Sequence, residues 1–346
     1  MIEEMTPVVQ WHVLLLRAAG RISDETLAEL RFALAEGRID ACAQVLAGAF
    51  PMTAAELAVV AAALPPGTAL PAPAEDGIDE PPAVVFVPVP PDSLALYGNL
   101  VPPLLDVSGD DDRTDAYDEV VLEALDPRET AGVWRGWRLG EADPARIYVV
   151  ESDEAAGDLP GVAAAVQRAL ADVGDLTSQV EVYRADLPLP SYQWAARSGS
   201  ALIHAPYPAP EIRFAAEDAL ATPLDDDERE AALAYLRDAT AMMPGLHTDG
   251  RWVWPATLAD RLEATGELAD PDLLDHLRQT EYVLWLADAV AVHRALAALQ
   301  QLGAGEVVDD EPATDDLATE DPATADPATD YAATAEPVTA AARGDR

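Results

Sequence analysis

The order of apolar runs between residues 146 and 183 constrains the fold more than any other feature of the chain. A strand pattern at 146–150 is followed by a helical pattern at 159–173 and a second strand pattern at 180–183. Strand, helix and strand at this spacing form a βαβ unit, with parallel strands and a right-handed crossover. A further strand pattern at 133–139 precedes an acidic turn and predicts a β-hairpin. The fold is therefore predicted to be α/β, with α+β as the alternative.

The whole chain divides by composition into four segments. Residues 1–64 carry apolar side chains at helical spacing and signals such as the capping box of Thr53 and Glu56, so they are predicted to form a helical bundle or cap. Residues 65–82, rich in proline, alanine and acids, predict a linker. Residues 83–302 are predicted to be the α/β body, a small mixed sheet followed by helices.

The last segment, residues 303–346, is of low complexity. It contains 12 acids and 2 arginines, and a four-residue acidic motif with proline and threonine starts at Glu311, Asp321, Asp326 and Glu336. Proline, small residues and like charges cannot offset the entropy cost of folding. The sequence therefore predicts a disordered acidic tail.

The charge balance excludes several classes of function. The chain has 63 acidic and 21 basic residues, a net charge of −42, and every basic residue is arginine. Without lysine there is no Schiff-base chemistry and no phosphate-loop lysine. The negative charge repels nucleic acid and favours a cationic partner. Cys42 is the only cysteine, which excludes an internal disulfide and a cysteine-rich zinc site.

The N-terminal residues do not resemble a targeting signal. Glu3 and Glu4 stand where a signal peptide has basic residues, and the apolar run at 13–16 is too short to cross a bilayer. We therefore expect no membrane association and a cytoplasmic location.

Motifs for cofactors are absent, and two weak constellations remain. The string Gly-x-Gly-x-x-Gly after a strand, the phosphate loop, Gly-x-Ser-x-Gly and His-Glu-x-x-His do not occur, so no cofactor or metal is predicted. The acids at 110–112, with Asp115 and Asp118, fit either a divalent cation or a solvated loop. Asp272 and His276, four apart on a predicted helix, fit either a general-base pair or a surface pair.

Two strings rich in tryptophan are the candidate binding residues. The first is an aromatic and basic island formed by Trp134, Arg135, Trp137 and Arg138. It fits a ligand or partner site, or a strand whose one face is core and whose arginines pair with local acids. The second has Trp252 and Trp254 on one face of a strand that follows a predicted turn. These two fit core anchors, or an interface anchor.

These strings carry a resemblance. Thr-Asp-Gly-x-Trp-x-Trp-Pro at 248–255, Trp-Arg-x-Trp-Arg at 134–138 and the strand at 180–183 resemble a family of high-GC actinomycete proteins. Similar proteins accompany secreted-toxin loci, which implies a toxin-neutralising or regulatory role. The resemblance covers residues 134–278 and supplies no catalytic residues. Where the family has tyrosines after the tryptophan string, this chain has acid and base at 260–261, which puts a site built on them in doubt.

Two functions follow from the sequence. The leading prediction is a non-enzymatic, acidic interaction protein that binds a protein with a basic surface, because the charge speeds such association. The alternative is a small-molecule-binding domain or enzyme with its pocket at the C-terminal ends of the parallel strands, lined by Glu151, Ser152 and Asp153. A pocket where arginine and carboxylates converge favours the alternative, and a flat acidic face favours the interaction protein.

Overall fold

The computed structural model describes residues 5–74, 83–140, 143–216 and 220–305, and within them the chain is an α/β protein. The predicted tail from residue 306 onward and residues 75–82 of the predicted linker lie outside the described residues. The α-helices are α1 (Pro7–Ala18), α2 (Asp24–Ala35), α3 (Ile39–Leu46), α4 (Ala54–Ala62), α5 (Pro91–Tyr97), α6 (Ala116–Ala124), α7 (Leu159–Asp172), α8 (Ser191–Ser198), α9 (Asp226–Asp238), α10 (Thr257–Thr265), α11 (Pro271–Gln279) and α12 (Ala289–Gly305).

The strands of the described residues form three sheets. They are β1 (Val85–Val87), β2 (Leu105–Asp106), β3 (Thr130–Leu139), β4 (Ala145–Ser152), β5 (Gln179–Tyr183), β6 (Ala201–His204), β7 (Arg213–Phe214), β8 (Thr222–Pro223), β9 (Thr240–Met243), β10 (Leu246–Thr248), β11 (Trp252–Pro255) and β12 (Glu267–Leu268). The largest sheet has the order β2-β6-β3-β4-β5, with β1 also paired to β3. A four-stranded sheet has the order β7-β11-β10-β9, and β12 pairs with β8.

The predicted hairpin and βαβ unit are both confirmed. β3 and β4 are antiparallel neighbours that follow each other in the chain, and β4 and β5 are parallel neighbours joined through α7. α7 packs its apolar side against the same sheet face as α6, in a core that includes Leu159, Val166 and Leu170. Burial of such side chains is worth about 1.5–3 kcal/mol each, so α7 is fixed to the sheet by its apolar stripe.

The N-terminal helices form the core with the opposite face of this sheet. Leu14 and Leu27 share a cluster with Trp134 of β3 and Ile147 of β4. Polar contacts tie the two parts together as well. Arg31 of α2 forms a buried ion pair with Glu181 of β5, with 2.5 Å between Nη2 and Oε1. The helices and the sheet are therefore packed against each other as one core.

The C-terminal part surrounds the smaller sheets with α9, α10 and α11. The predicted turn between β10 and β11 is present, and Gly250 there has the positive φ that glycine tolerates best. The last helix of the described residues, α12, begins at Ala289. Asp288 caps it, accepting a hydrogen bond from the Ala291 N–H at 2.7 Å. Among the described residues, no helix has both the length and the apolar character needed to cross a membrane.

Candidate functional site

One edge of the largest sheet gathers the carboxyl ends of four strands. β2 and β6 are parallel, β4 and β5 are parallel, and β3 runs antiparallel to both β6 and β4. All four strands therefore point the same way and end at the same edge, which we call the carboxyl edge. In open α/β sheets this edge is where ligands bind, since the loops that leave the strands open a crevice there.

A cleft of about 520 Å³ lies at the carboxyl edge beyond β2 and β6. Its walls are residues 106–110, which follow β2, residues 205–209, which follow β6, and Arg294 of α12. The cleft therefore has one wall from each of the two parallel strands and a guanidinium from the helix beside them. Its size is that of an ordinary small-molecule site.

Arg294 is the centre of this arrangement. Its Nε donates to Asp106 Oδ2 at 2.9 Å, and its Nη2 donates to Ser108 Oγ at 3.0 Å and to the Tyr207 carbonyl at 3.1 Å. The side chain is buried, and its Nη1 has no hydrogen-bond partner within the described ranges. A buried donor without a partner costs about 1–3 kcal/mol, which an acceptor on a water molecule or on a ligand would offset.

A second polar group stands at the ends of β4 and β5. The Tyr183 hydroxyl donates to Glu151 Oε2 at 2.6 Å, and Arg197 Nη1 donates to the same hydroxyl at 2.6 Å. Burial raises the pKa of Glu151, although the Tyr183 hydrogen bond and the charge of Arg197 oppose the change. Burial also raises the pKa of Tyr183. Perturbed carboxyl and hydroxyl groups of this kind cluster at functional sites, but also in structural networks.

Two histidines at this edge, His293 and His204, have lowered pKa values because burial disfavours their charged form. Burial lowers the pKa of His293 to about 4, although its Nε2 bonds to the Leu105 carbonyl at 2.8 Å. Burial lowers the pKa of His204 as well, and its Nε2 has no partner in the described part of the chain. The indole N–H of Trp134 is likewise buried and unpaired there. The carboxyl edge thus carries buried polar atoms that have no hydrogen-bond partner among the described residues.

The residues predicted to line a pocket at this edge do not converge. Glu151 lies on the sheet face that carries Tyr183 and Arg197, whereas the Ser152 hydroxyl bonds to the Glu129 carbonyl and Asp153 is exposed. The reason is that successive side chains of a strand point to opposite faces. The cleft instead lies at β2 and β6, a pair that the sequence analysis did not find.

Side chains of the first tryptophan string, residues 134–138, make contacts within the protein. Trp134 is fully buried, Arg135 Nη1 bonds to Asp118 Oδ2 at 2.5 Å, and Arg138 binds both oxygens of Asp24 at 2.8 and 2.6 Å. The ring of Trp137 lies 4.7 Å from the guanidinium carbon of Arg146. Trp134 and Arg135 are therefore committed to the interior, whereas Trp137 and Arg138 are half-buried and their contact with a partner stays a prediction.

The second tryptophan string also lies in the interior. Trp252 is 5% exposed and Trp254 is fully buried, and both pack among α9, α10 and α11. The Trp254 indole N–H donates to the Leu236 carbonyl at 3.2 Å. Both tryptophans are therefore placed as core anchors of the hairpin, which was one of the two predicted roles.

Two acids of the acidic run, Asp115 and Asp118, have structural roles at the start of α6. Asp115 caps α6 and binds Arg146 through two hydrogen bonds of 2.8 and 2.7 Å. Asp118 is fully buried and accepts from Arg135 and from the Tyr148 hydroxyl. Across the described residues no group of three histidine, cysteine or acidic side chains is arranged to hold a metal ion.

Compared with known proteins, the chain matches no family model, no curated protein and no solved structure. The resemblance to the actinomycete family stays a prediction, and the function has to be inferred from the site itself.

Proposed function

We propose that the protein binds a small polar molecule in the cleft at the carboxyl edge. The observation that supports this best is Arg294, a buried guanidinium in the cleft wall whose Nη1 hydrogen bonds are unused by the described residues. Its other nitrogens are fixed by Asp106 and Ser108, so the group is held in one orientation before any ligand arrives. Such preorganisation lowers the entropy cost of binding.

The lining of the cleft indicates the chemistry of the ligand. Arg294 offers only donors, and Asp106 already balances its charge, so the site suits oxygen acceptors on a neutral or singly charged molecule. Pro206 and Pro208 with two alanines give the second wall an apolar surface. A polar head on a small apolar frame therefore fits the cleft.

Binding rather than catalysis is proposed because of where the titratable groups lie. Glu151 and Tyr183, the pair with perturbed pKa values, are tied to Arg197 and do not line the cleft. A general acid or base has to come within hydrogen-bond reach of its substrate. The groups that do line the cleft, such as Asp106 and Ser108, are engaged with Arg294 or with each other.

The test is a thermal-shift screen of small oxygen-bearing metabolites with a variant that fills the cleft. Ala209→Trp places an indole in the cleft, and Ala234→Trp on the exposed face of α9 is the matched control. A ligand at one hundred times its Kd stabilises the protein by about 2.7 kcal/mol. That should raise Tm by several degrees in the wild type and in Ala234→Trp, but not in Ala209→Trp. An equal rise in both variants, or no ligand for the wild type, would contradict the proposal.

A second candidate function, an acidic interaction protein, is favoured by α5. None of the side chains of this helix is buried. Leu96 is 78% exposed, and Leu100, just beyond the helix, is 83% exposed. Most monomers keep such neighbouring apolar side chains covered, and uncovered ones mark interaction sites. This patch, formed by Leu96, Tyr97 and Leu100, lies on a body whose residues 1–302 carry −32, which favours a partner with a basic surface.

This second candidate predicts one dominant basic partner in affinity purification at moderate salt. The double variant Leu96→Ser and Leu100→Ser should lose that partner, because truncation of an anchor removes about 2 kcal/mol or more. Leu176→Ser, equally exposed on the turn after α7, is the control and should retain it. Recovery of a mixed set of basic proteins by every bait, all eluting together as salt rises, would contradict a dedicated partner.

A further inference from the structure

A second cleft, separate from the carboxyl edge, lies at the tip of the β10–β11 hairpin. It measures about 500 Å³ and is formed by Asp249 and Arg251 of the turn, His276 and Gln279 of α11, and Trp285 of the loop before α12, with Tyr235 and Thr280. The residues come from four elements that are far apart in sequence. The cleft therefore exists only because the hairpin packs on α9 and α11.

His276 is held in one orientation by Asp249. The distance between Nε2 and Asp249 Oδ2 is 2.7 Å. Burial opposes ionisation of Asp249, but the hydrogen bonds from His276, the Trp252 N–H and Tyr235 outweigh it and lower its pKa. An ionised carboxylate only accepts, so the hydrogen of this bond is on His276 Nε2. The imidazole ring also lies against Trp252, with 6.1 Å between ring centroids.

The negative charge of Asp249 is fully engaged inside the protein. Its Oδ2 accepts from Tyr235 and His276, and its Oδ1 accepts from the backbone N–H groups of Arg251 and Trp252, all at 2.7–2.8 Å. Four hydrogen bonds use the accepting capacity of a carboxylate. Asp249 is therefore a support of the cleft and not a group that repels or binds a ligand there.

Arg251 is the free cation of this cleft. Its side chain is exposed, and its guanidinium makes no hydrogen bond or ion pair with any residue in the described ranges. Most other arginines of the described part have an acidic partner, as expected in so acidic a chain. A guanidinium without an acidic partner has paired N–H donors that can bind a carboxylate or a phosphate.

Trp285 provides an apolar wall beside this cation. Its side chain is 77% exposed, although it lines the cleft. The loop that carries it begins with Glu281 and Tyr282, both at positive φ, 53° and 57°, which non-glycine residues adopt at a cost. At its other end Asp288 fixes the start of α12. The exposed indole therefore lies on a short loop whose backbone is restricted at its start and whose end is fixed by the cap of α12.

We propose that this cleft binds a small organic carboxylate with an aromatic body. The carboxylate pairs with Arg251, and the aromatic body lies against the face of Trp285. Glu211 and Asp272 line an adjoining cleft that shares Arg251 and His276 with this one. Among the described residues that line the cleft with Trp285, the one acid is Asp249, whose oxygens are already engaged, so Arg251 has no free acid within this lining.

The inference is tested by calorimetric titration of the full chain with benzoate. The wild type should bind benzoate, and Arg251→Ala should weaken binding about tenfold or more, because a charge-assisted hydrogen-bonded pair is lost. Arg128→Ala is a matched control. Like Arg251, Arg128 is exposed and follows by two residues an aspartate that accepts its backbone N–H, so its removal should leave the affinity unchanged.

Two further measurements test the contribution of Trp285 and the need for an aromatic body in the ligand. Trp285→Ala should weaken benzoate binding, and Trp194→Ala, at an exposed tryptophan of α8, should not. Inorganic phosphate should not displace benzoate at equal concentration, since it has no aromatic body. No benzoate binding by the wild type, equal binding by Arg251→Ala, or equal competition by phosphate would each overturn the proposal. Ala209→Trp, which fills the cleft at the carboxyl edge, should bind benzoate as the wild type does, because Ala209 does not line this cleft.

Discussion

Acidification from neutral pH to about pH 4.5 is expected to lower the free energy of unfolding by several kcal/mol. The reason is that His12 and His293 are buried and remain neutral in the folded protein. Burial lowers the pKa of His12 to about 4, against the opposing effect of its bond to the Val182 carbonyl. Burial lowers the pKa of His293 to about 4 in the same way. Both side chains lie in the interior, so solvent does not screen this effect.

The direction follows from proton binding in the two states. In the unfolded chain each histidine takes up a proton near its usual pKa of 6.5, whereas in the folded protein it does so only near about 4. Between these values the unfolded state binds more protons, so stability falls as the pH falls. At the acidic end each histidine contributes a loss of about 3 kcal/mol. Glu151, whose pKa is raised, acts in the opposite direction and offsets part of the loss.

The measurement is urea unfolding followed by circular dichroism at several pH values between 7 and 4.5. The double variant His12→Gln and His293→Gln keeps an N–H donor at both positions but does not titrate, so its stability should change much less with pH. His247→Gln, at a half-buried histidine of the hairpin, is the control and should keep the wild-type profile. A double variant as sensitive to acid as the wild type would show that other groups cause the loss.

The hairpin and the βαβ unit could be predicted because each of their elements is encoded by neighbouring residues. Apolar and polar side chains alternate along β3 and β4, and apolar side chains recur at helical spacing along α7. The structure confirms the hairpin and the parallel pair that these patterns predict. The site at the carboxyl edge could not be found in this way. β2 has only two residues, and its pairing with β6 joins residues almost a hundred positions apart. A strand of that length has no periodicity to detect.

The same limit explains why the sequence did not predict the contacts that the side chains of the candidate sites make. Arg294 reaches Asp106 across 188 positions, and Arg138 reaches Asp24 across 114, so no spacing rule connects them. One signal was present and was interpreted differently. Asp115 and Asp118 have the three-residue spacing of a capping box, which they form at the start of α6, although the sequence analysis treated them as part of an acidic loop.

Removal of the Asp118 carboxylate is expected to destabilise the protein by about 3–5 kcal/mol, because it leaves a buried arginine without its counter-ion. Asp118 is fully buried, and Arg135 is 8% exposed. The Asp118→Ala variant would lose the 2.5 Å contact with Arg135 and the 2.8 Å bond from the Tyr148 hydroxyl. As a matched surface control, Glu263→Ala breaks the exposed pair with Arg237 and should leave the free energy of unfolding nearly unchanged.

A double-mutant cycle then separates the ion pair from the packing around it. Asp118→Leu together with Arg135→Met replaces both charges by apolar side chains of similar size, and it should be less destabilising than the sum of the single variants. Urea unfolding of the four proteins gives the coupling energy directly. Strict additivity, with a small effect of Asp118→Ala, would mean that Arg135 is not committed to Asp118. Arg135 would then be able to leave the core, and a role for Arg135 in binding a partner would become tenable again, since besides Asp118 its guanidinium bonds to the Arg113 carbonyl at 3.4 Å, which is a weak contact.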